Sequence, residues 1–298
     1  MNEPRHIVPI SGKDSLATAI MLKTQNPERH YEYVYNDTRM ELPETYAWLE
    51  LVERTLGITI IRAGKNLESI IYEQEILPSP RRRFCTKYAK IYPMHDFIGK
   101  DNAVLYIGIR ADEDRAGKEE KRNIAVSYPL KEMRIGLPMV YRIVESKNLM
   151  PPAFFWKRVY DAVRLELGHD AAVIDTLPRY VFDRAFAWRS RPNCFFCFYQ
   201  RRYEWVGLLE HHPDLFIRAE KIEGEVGMSD KIREHAYYWI DASLPLSRVR
   251  ERSEHFIQSR VNALVKMFRK RLQLEIWDGT LLDELDLAQT SCGLYCGK

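Results

Sequence analysis

The sequence lacks any long hydrophobic run and any strong excess of one charge. Its 298 residues carry 45 Lys and Arg against 42 Asp and Glu, a net charge of +3. So small a net charge permits contact with nucleic acid but does not argue for it. No apolar stretch approaches the length of a membrane-spanning helix, and the first residues do not form a signal peptide. We therefore expect a cytoplasmic protein with no membrane partner.

Cysteine is also scarce, and no internal repeat or low-complexity linker is found. The 5 cysteines are Cys85, Cys194, Cys197, Cys292 and Cys296. In a reducing compartment such cysteines are metal ligands or reactive thiols more often than structural disulfides. A hydrophobic content of 46% favours a folded chain, and 298 residues exceed what one core usually needs. We expect one large domain and a smaller one.

The first half of the sequence alternates strand-like and helix-like stretches. Strands are predicted at residues 6–10, 31–35, 59–62 and 104–109, and helices at residues 16–23 and 44–56. This alternation predicts an α/β fold, a doubly wound, Rossmann-like parallel sheet with helices on both faces, over residues 1–136. Ligands of such sheets bind beyond the carboxyl ends of the strands.

From about residue 138 the pattern becomes helical. Helices are predicted at residues 140–147, 152–167, 178–189, 203–210, 213–223 and, as one long basic amphipathic helix, 247–272. We expect residues 137–298 to form a mostly helical C-terminal module. The basic face of the last helix is interpreted as solvated or, if the substrate is nucleic acid, as a contact surface for phosphates.

A small polar loop follows the first predicted strand and precedes a helix. It consists of Ser11, Gly12, Lys13, Asp14 and Ser15. Backbone N–H groups at such a turn and the positive end of the helix dipole bind phosphate. Lys13 adds a point charge, Asp14 holds a metal ion or orients the loop, and Ser15 caps the helix or binds phosphate. The spacing is not that of a Walker loop, and a simple polar turn is the alternative.

Four ordered segments together resemble a known family. ISGKDS at residues 10–15 resembles the SGGKDS signature of the PP-loop ATP pyrophosphatases, with Ile10 and Ser11 replacing the first Ser and Gly. The other three resemble the branch of that superfamily related to phosphoadenosine phosphosulfate (PAPS) reductases. They are NDT at 36–38 with ELPET at 41–45, RFCT at 83–86 with Lys90 and Pro93, and GIRADEDR at 108–115.

The resemblance implies an adenine-nucleotide α-hydrolase-like fold and an ATP site that requires Mg²⁺. It places the loop from Ser11 to Ser15 on the phosphates, with Lys13 and Asp14 catalytic, and Asp37 and Thr38 near the adenosine. Arg110 and Arg115 become candidates for the α-phosphate or the acceptor. The alternative for both arginines is pairing with Asp112, Glu113 and Asp114 on a solvated loop.

The cysteines divide into two groups. Cys194 and Cys197 form a C-x-x-C knuckle, which binds a metal or cluster or acts as a redox dithiol. By the resemblance, Cys85 joins them as a third ligand of a [4Fe–4S] cluster, with zinc as the alternative metal. The segment SCGLYC at 291–296 is similar to a family tail with a nucleophilic cysteine. Cys292 is then a persulfide carrier and Cys296 its resolving thiol, or one of them completes a four-cysteine site with the knuckle.

The resemblance is strongest to the DndC- and SspD-type sulfurtransferases of DNA phosphorothioation. It implies cleavage of ATP to AMP and pyrophosphate, which activates an acceptor oxygen for sulfur transfer. A cysteine desulfurase, DNA and other modification subunits are then the expected partners. One alternative is an assimilatory sulfonucleotide (PAPS or APS) reductase, and another is a non-catalytic nucleotide-binding subunit of a larger assembly.

Overall fold

One parallel sheet organises the first half of the chain. The computed structural model describes residues 3–114, 122–227, 237–240 and 243–274. The strands are β1 (Arg5–Pro9), β2 (Glu32–Asn36), β3 (Ile60–Ala63), β4 (Ala103–Tyr106) and β5 (Ile124–Ser127). Their order is β3-β2-β1-β4-β5, and each neighbouring pair is parallel. The predicted α/β fold is confirmed, and β5 is a strand that the sequence pattern did not indicate.

Helices account for most of the remaining described residues. Those of the first half are α1 (Lys13–Gln25), α2 (Pro43–Leu56), α3 (Leu67–Gln74), α4 (Phe84–Thr86) and α5 (Tyr92–Ile98), with a π-helical turn at Lys87–Ile91. The next are α6 (Pro129–Glu132), α7 (Leu137–Glu145), α8 (Lys157–Leu167), α9 (Ala172–Asp175) and α10 (Arg179–Ala185), with a 3₁₀ turn at Gly168–Ala171. The last are α11 (Arg202–His211), α12 (Pro213–Ile222), α13 (Leu246–Glu251) and α14 (Ser253–Leu274), with a π-helical turn at Glu223–Gly227.

Apolar side chains cover the sheet on both faces. On one face α1, α2 and α7 contribute Leu16, Trp48 and Val140 to a buried cluster. On the other face, Met94 and Ile98 of α5 pack in a second cluster with strand residues such as Ile7. Burial on both faces is typical of a parallel sheet, whose crossover helices must lie against it. The predicted placement of helices on both faces is therefore confirmed.

A short extended contact explains two wrong helix boundaries. The predicted helix 152–167 begins only at Lys157, and the predicted helix 178–189 ends at Ala185. Between them, the Trp156 N–H donates to the Phe186 carbonyl at 2.7 Å, and the Trp188 N–H donates to the Phe154 carbonyl at 2.8 Å. These residues use their backbone groups in an antiparallel bridge, so they are unavailable to either helix.

The predicted long basic helix is also interrupted. It divides at Arg252, which separates α13 from α14. Its basic face is partly buried, because Arg260 and Arg271 are each only 7% exposed. Arg250 pairs with Glu220. The interpretation of these cations as one solvated face is wrong for the two buried arginines.

A third apolar cluster includes residues of both halves of the chain. Met40, Leu67 and Ile70 come from the first half, and Trp205 and Phe268 come from α11 and α14.

None of the helices in the described ranges combines the length and the apolar character needed to cross a lipid bilayer.

Candidate active site

A cavity of about 310 Å³ opens at the carboxyl ends of β1, β2 and β4. Ile10, Asn36 and Gly108 line it from the ends of these three strands. Because β1 lies between β2 and β4, the chain reverses its winding direction here, and ligands of parallel sheets bind at such a point. The volume lies at the lower end of the range for small-molecule sites. We call this space the cradle cavity.

The predicted phosphate loop forms the floor of the cradle cavity. Residues Ser11 to Ser15 all line it. The Ser15 hydroxyl accepts the N–H groups of Ser11 and Gly12 at 2.8 and 3.1 Å, and donates to the Gly12 carbonyl at 2.9 Å. Ser15 therefore holds the shape of the loop from inside. The helix begins at Lys13, three residues earlier than predicted, so its positive end faces the cavity.

Three charged side chains form a chain across the cradle. Lys13 Nζ lies 3.1 Å from Asp14 Oδ2, and Arg110 Nη1 lies 3.1 Å from Asp14 Oδ1. Burial lowers the pKa of the Lys13 ammonium, although Asp14 opposes this shift. Burial disfavours ionised Asp14, but Lys13 and Arg110 outweigh that effect and lower the pKa of its carboxyl. The cradle therefore holds two cations at fixed positions around one carboxylate.

Arg110 makes the acidic pairing considered for it from the sequence, and it also lines the cavity. Besides Asp14, it pairs with Asp112 and Glu113 at 2.8 Å each. Burial disfavours its charge, yet the three carboxylates prevail and raise the pKa of the guanidinium. Arg110 lines the cavity, so it is oriented by its acidic neighbours toward the cradle. Arg115 lies outside the described residues.

Gly108 allows the loop after β4 to approach the start of α1. A Cβ atom on Gly108 would lie 2.7 Å from the Ser15 backbone N and 2.9 Å from the Asp14 carbonyl oxygen. Backbone atoms cannot give way as a flexible side chain can. Only glycine therefore allows this contact, which brings Arg110 within reach of Asp14.

The acidic motif after β2 lies partly behind the cavity wall. Asn36 and Glu41 line the cavity, whereas Asp37 and Thr38 do not. Asp37 Oδ1 accepts the Arg39 N–H at 2.7 Å and the Tyr46 hydroxyl at 2.9 Å. The two residues predicted to lie near the adenosine are thus behind the cavity wall, and Asn36 and Glu41 are the members of the motif that line the cavity.

Glu41 is the buried carboxylate of this motif. The Thr38 hydroxyl donates to Glu41 Oε1 at 2.7 Å, and the Met40 N–H donates to Oε2 at 3.1 Å. Burial raises the pKa of the Glu41 carboxyl, against the opposing effects of Lys90 and of the hydrogen bond from Thr38. Glu41 lies in the ELPET segment quoted above, but no feature of the sequence around it indicated that its carboxylate would be buried and line the cavity.

The C-x-x-C knuckle packs directly against the same motif. The Phe195 N–H donates to the Met40 carbonyl at 2.7 Å, and Cys194 Sγ lies 3.2 Å from the Thr38 hydroxyl. Glu41 Oε1 is 3.8 Å from Cys194 Sγ. Cys194 is thus placed between the second-strand motif and the helical half of the chain, close behind the cavity wall.

Arg189 holds the knuckle in place. Its guanidinium donates to the carbonyls of Asn193 and Cys194 at 2.6 Å each, and to Gln200 Oε1 at 2.8 Å. Burial lowers its pKa, with Glu204 opposing. Buried polar groups are stable only when they are hydrogen-bonded, and this arginine satisfies several acceptors at once. No local sequence pattern marked it.

The predicted metal ligands are all buried, but the described residues do not show a metal site. Cys85, Cys194 and Cys197 are each 6–7% exposed. Within residues 3–114, 122–227, 237–240 and 243–274, no three His, Cys, Asp or Glu side chains are arranged to hold a metal ion. Cys292 and Cys296 lie outside the described residues. The residues present therefore do not by themselves fit a cluster or a zinc ion.

The second half of the chain supplies the opposite wall of the cavity. It is lined by Pro151 to Ala153, by Asp183, Arg184 and Ala187, and by Arg189 to Asn193. These residues are distant in sequence from the loop and have no motif of their own. Only the packing of the helical half against the sheet brings them to the site.

The geometry agrees with a comparison to known families. Residues 5–140 match the phosphoadenosine phosphosulfate reductase domain. This match supports the PP-loop, PAPS-reductase-like superfamily and a nucleotide-binding, sulfonucleotide-related function for that region. The matched PAPS-reductase-like region includes the loop, the β2 motif, Cys85 and Arg110. It ends before the knuckle and the opposite wall.

One relative extends the similarity beyond this region. An uncharacterized protein of Methanocaldococcus jannaschii, MJ0066, is 28% identical over 238 residues, which cover 78% of this chain and 43% of that protein. The chain thus corresponds to less than half the length of this relative. No solved structure matches the chain.

Proposed function

We propose that the protein is an ATP pyrophosphatase that activates an acceptor oxygen for sulfur transfer. One observation carries this proposal: Lys13, Asp14 and Arg110 converge at the positive end of α1, in a cavity at the carboxyl ends of the strands. Fixed cations at such a position stabilise charge that develops on phosphate oxygens.

In the proposed reaction the acceptor oxygen attacks the α-phosphorus of ATP. The bond between that phosphorus and the bridging oxygen breaks, so pyrophosphate leaves and AMP becomes attached to the acceptor. Lys13 and Arg110 would bind the departing phosphates. Mg²⁺, when bound, would neutralise phosphate charge, and Asp14 is the carboxylate of the loop that could hold it.

The sulfur step would use the thiols of the C-terminal tail. The terminal sulfur of a persulfide on Cys292 would attack the activated acceptor and displace AMP, which leaves the acceptor joined to Cys292 through a disulfide. The Cys296 thiolate would then attack the Cys292 sulfur and release the thiolated acceptor. The resulting Cys292–Cys296 disulfide must then be reduced by an external thiol. We propose a cysteine desulfurase as the sulfur donor and DNA, in phosphorothioate modification with its partner subunits, as the acceptor.

The alternative function is that of a sulfonucleotide reductase, and the match of residues 5–140 to the PAPS reductase domain favours it. A single pair of assays separates the proposals. We expect the protein to release pyrophosphate from ATP when the acceptor is present, to release AMP when a sulfur donor is added as well, and not to release sulfite from PAPS or APS with thioredoxin. Sulfite release without pyrophosphate release would contradict our proposal. Nucleotide binding with neither activity would favour a non-catalytic subunit.

The cysteine cofactor is tested separately by metal analysis. The [4Fe–4S] cluster predicted from the sequence requires Cys85, Cys194 and Cys197 to come together as they do not in this structure; if they do so, protein purified without oxygen is brown and contains iron and acid-labile sulfide. Cys194→Ser and Cys197→Ser should lose both. A colourless preparation with stoichiometric zinc would instead support the structural zinc alternative, and one with neither metal would leave the redox dithiol.

A further inference from the structure

We infer that Arg184, from the helical half of the chain, is a binding residue for the polyphosphate of the nucleotide and closes the site opposite the cradle. This inference rests on the proposed function, because it assigns one more contact to the same substrate. It makes the nucleotide site a composite of both halves of the chain.

The charge on the cavity wall favours an anion. The cations that line it are Lys13, Lys90, Arg110, Arg184, Arg189 and Arg191, and the carboxylates are Asp14, Glu41, Glu113 and Asp183. Asp183 is bound by Arg179, which donates to both of its oxygens at 2.7 and 2.8 Å from outside the cavity. Burial also favours the neutral form of Glu41. The cavity is therefore cationic on balance.

Arg184 faces the same space as the cradle cations. It lines the cavity with Lys13 and Arg110, and it lies close enough for its charge to lower the pKa of Lys13. Burial lowers the pKa of Arg184 to about 10; Tyr141 opposes this shift, and the positive charge of Arg110 adds to it. Arg184 is therefore a cation at neutral pH. A ligand oxyanion bound between Lys13, Arg110 and Arg184 would stabilise the charged form of each of them.

The backbone that carries Arg184 is held firmly. The Arg260 guanidinium donates to the Ala185 carbonyl at 2.7 Å and to the Arg184 carbonyl at 3.3 Å. On the other side of α10, Val181 packs in a buried cluster with Leu137 and Tyr141 of α7. A ligand contact on a packed helix is positioned more accurately than one on a free loop.

Arg189, a second arginine of this wall, is less suited to the task. Arg189 already donates to several acceptors in the knuckle, so its role is structural. Its charge interacts chiefly with Glu204 and the knuckle cysteines. Arg184 instead interacts most strongly with Tyr141 of α7, and also with Arg110 and Asp14 of the cradle. Arg189 therefore supports the C-x-x-C segment, whereas Arg184 is the arginine that we assign to the ligand.

The test compares the binding of ATP, pyrophosphate and adenosine to the full chain by calorimetry. Arg184→Ala should weaken ATP and pyrophosphate binding by about 10- to 100-fold, the value of a charge-assisted hydrogen bond, and leave adenosine binding unchanged. Arg184→Lys should recover part of the loss, because it keeps the charge without the fork. Arg248→Ala, which removes a surface arginine that is 65% exposed and pairs with Glu251, is the matched control.

Pyrophosphate binding within twofold of the wild type in Arg184→Ala would overturn the inference. An equal loss of adenosine binding would also overturn it, since the variant would then have disturbed the whole site. Thermal unfolding of each variant shows whether it is folded. The result is separable from the proposed reaction: a wild-type protein that binds ATP but releases no pyrophosphate would refute the reaction, and Arg184 could still be a phosphate contact.

Discussion

Lys13→Ala should slow the release of pyrophosphate from ATP by about 100- to 1000-fold, the usual effect of removing one group that stabilises a developing anion. Lys13 lies in the first turn of α1 and pairs with Asp14, 3.1 Å away. Without its ammonium, the cradle would keep a carboxylate facing the phosphates with only Arg110 to balance it. The measurement is pyrophosphate release at saturating ATP, together with ATP affinity.

The same helix supplies the control for this variant. Lys23 lies in the last turn of α1, and its ammonium donates to the Leu56 carbonyl at 2.9 Å. Lys23→Ala removes an equivalent side chain far from the cavity and should leave the rate unchanged. If Lys13→Ala retained wild-type pyrophosphate release, the assignment of this loop as the phosphate site would be wrong.

Gly108→Ala should damage both stability and activity. The added methyl group would lie 2.7–2.9 Å from backbone atoms of Asp14 and Ser15, so the loop after β4 must move away from α1. Overpacking of this kind costs about 1–3 kcal/mol. Movement of the loop would also withdraw Arg110 from Asp14, so we expect at least a ~10-fold loss of activity. Chemical denaturation and pyrophosphate release measure the two effects.

Gly224→Ala is the matched substitution for this test. A Cβ atom at Gly224 meets no other atom within 4 Å, and this residue does not line the cavity. We expect it to unfold at nearly the same denaturant concentration as the wild type and to remain active. Equal behaviour of the two alanine variants would show that the close approach at Gly108 is not required.

The sheet and the turn between β1 and α1 could be predicted because their signals are local. A short apolar strand, a small polar turn and a helix are adjacent in sequence around Lys13, and alternation of strands and helices indicates a parallel sheet. The strand β5 was missed although β3 and β4 are equally short, since it follows a charged stretch without periodic apolar residues.

The opposite wall of the cavity could not be predicted for a different reason. Arg184 and Arg189 are ordinary members of a helical region, and their roles depend on contacts with the first half of the chain. The backbone hydrogen bond from the Phe195 N–H to the Met40 carbonyl, for example, joins residues more than 150 positions apart in the sequence. Hydrophobic periodicity predicts which face of a helix is buried, but it does not identify the residues on the other side.

The buried arginines show the limit of reading charge from sequence. Arg260 belongs to a helix whose basic residues suggested a solvated face, yet it is buried and bonds to backbone carbonyls at the end of α10. A long side chain can bury its stem and still satisfy its charged end with local acceptors. The number of basic residues in this helix therefore overstates how much of its surface is available to nucleic acid.

The apolar cluster shared by the two halves has a consequence for how this protein could evolve. Sequence similarity to the PAPS reductase domain ends at residue 140, but the cluster joins Met40 and Ile70 to Trp205 and Phe268. A gene fusion or domain exchange at residue 140 would expose an apolar surface on each fragment, and such surfaces promote aggregation. We therefore expect the sheet and the helical half to be inherited together, because each covers apolar surface of the other.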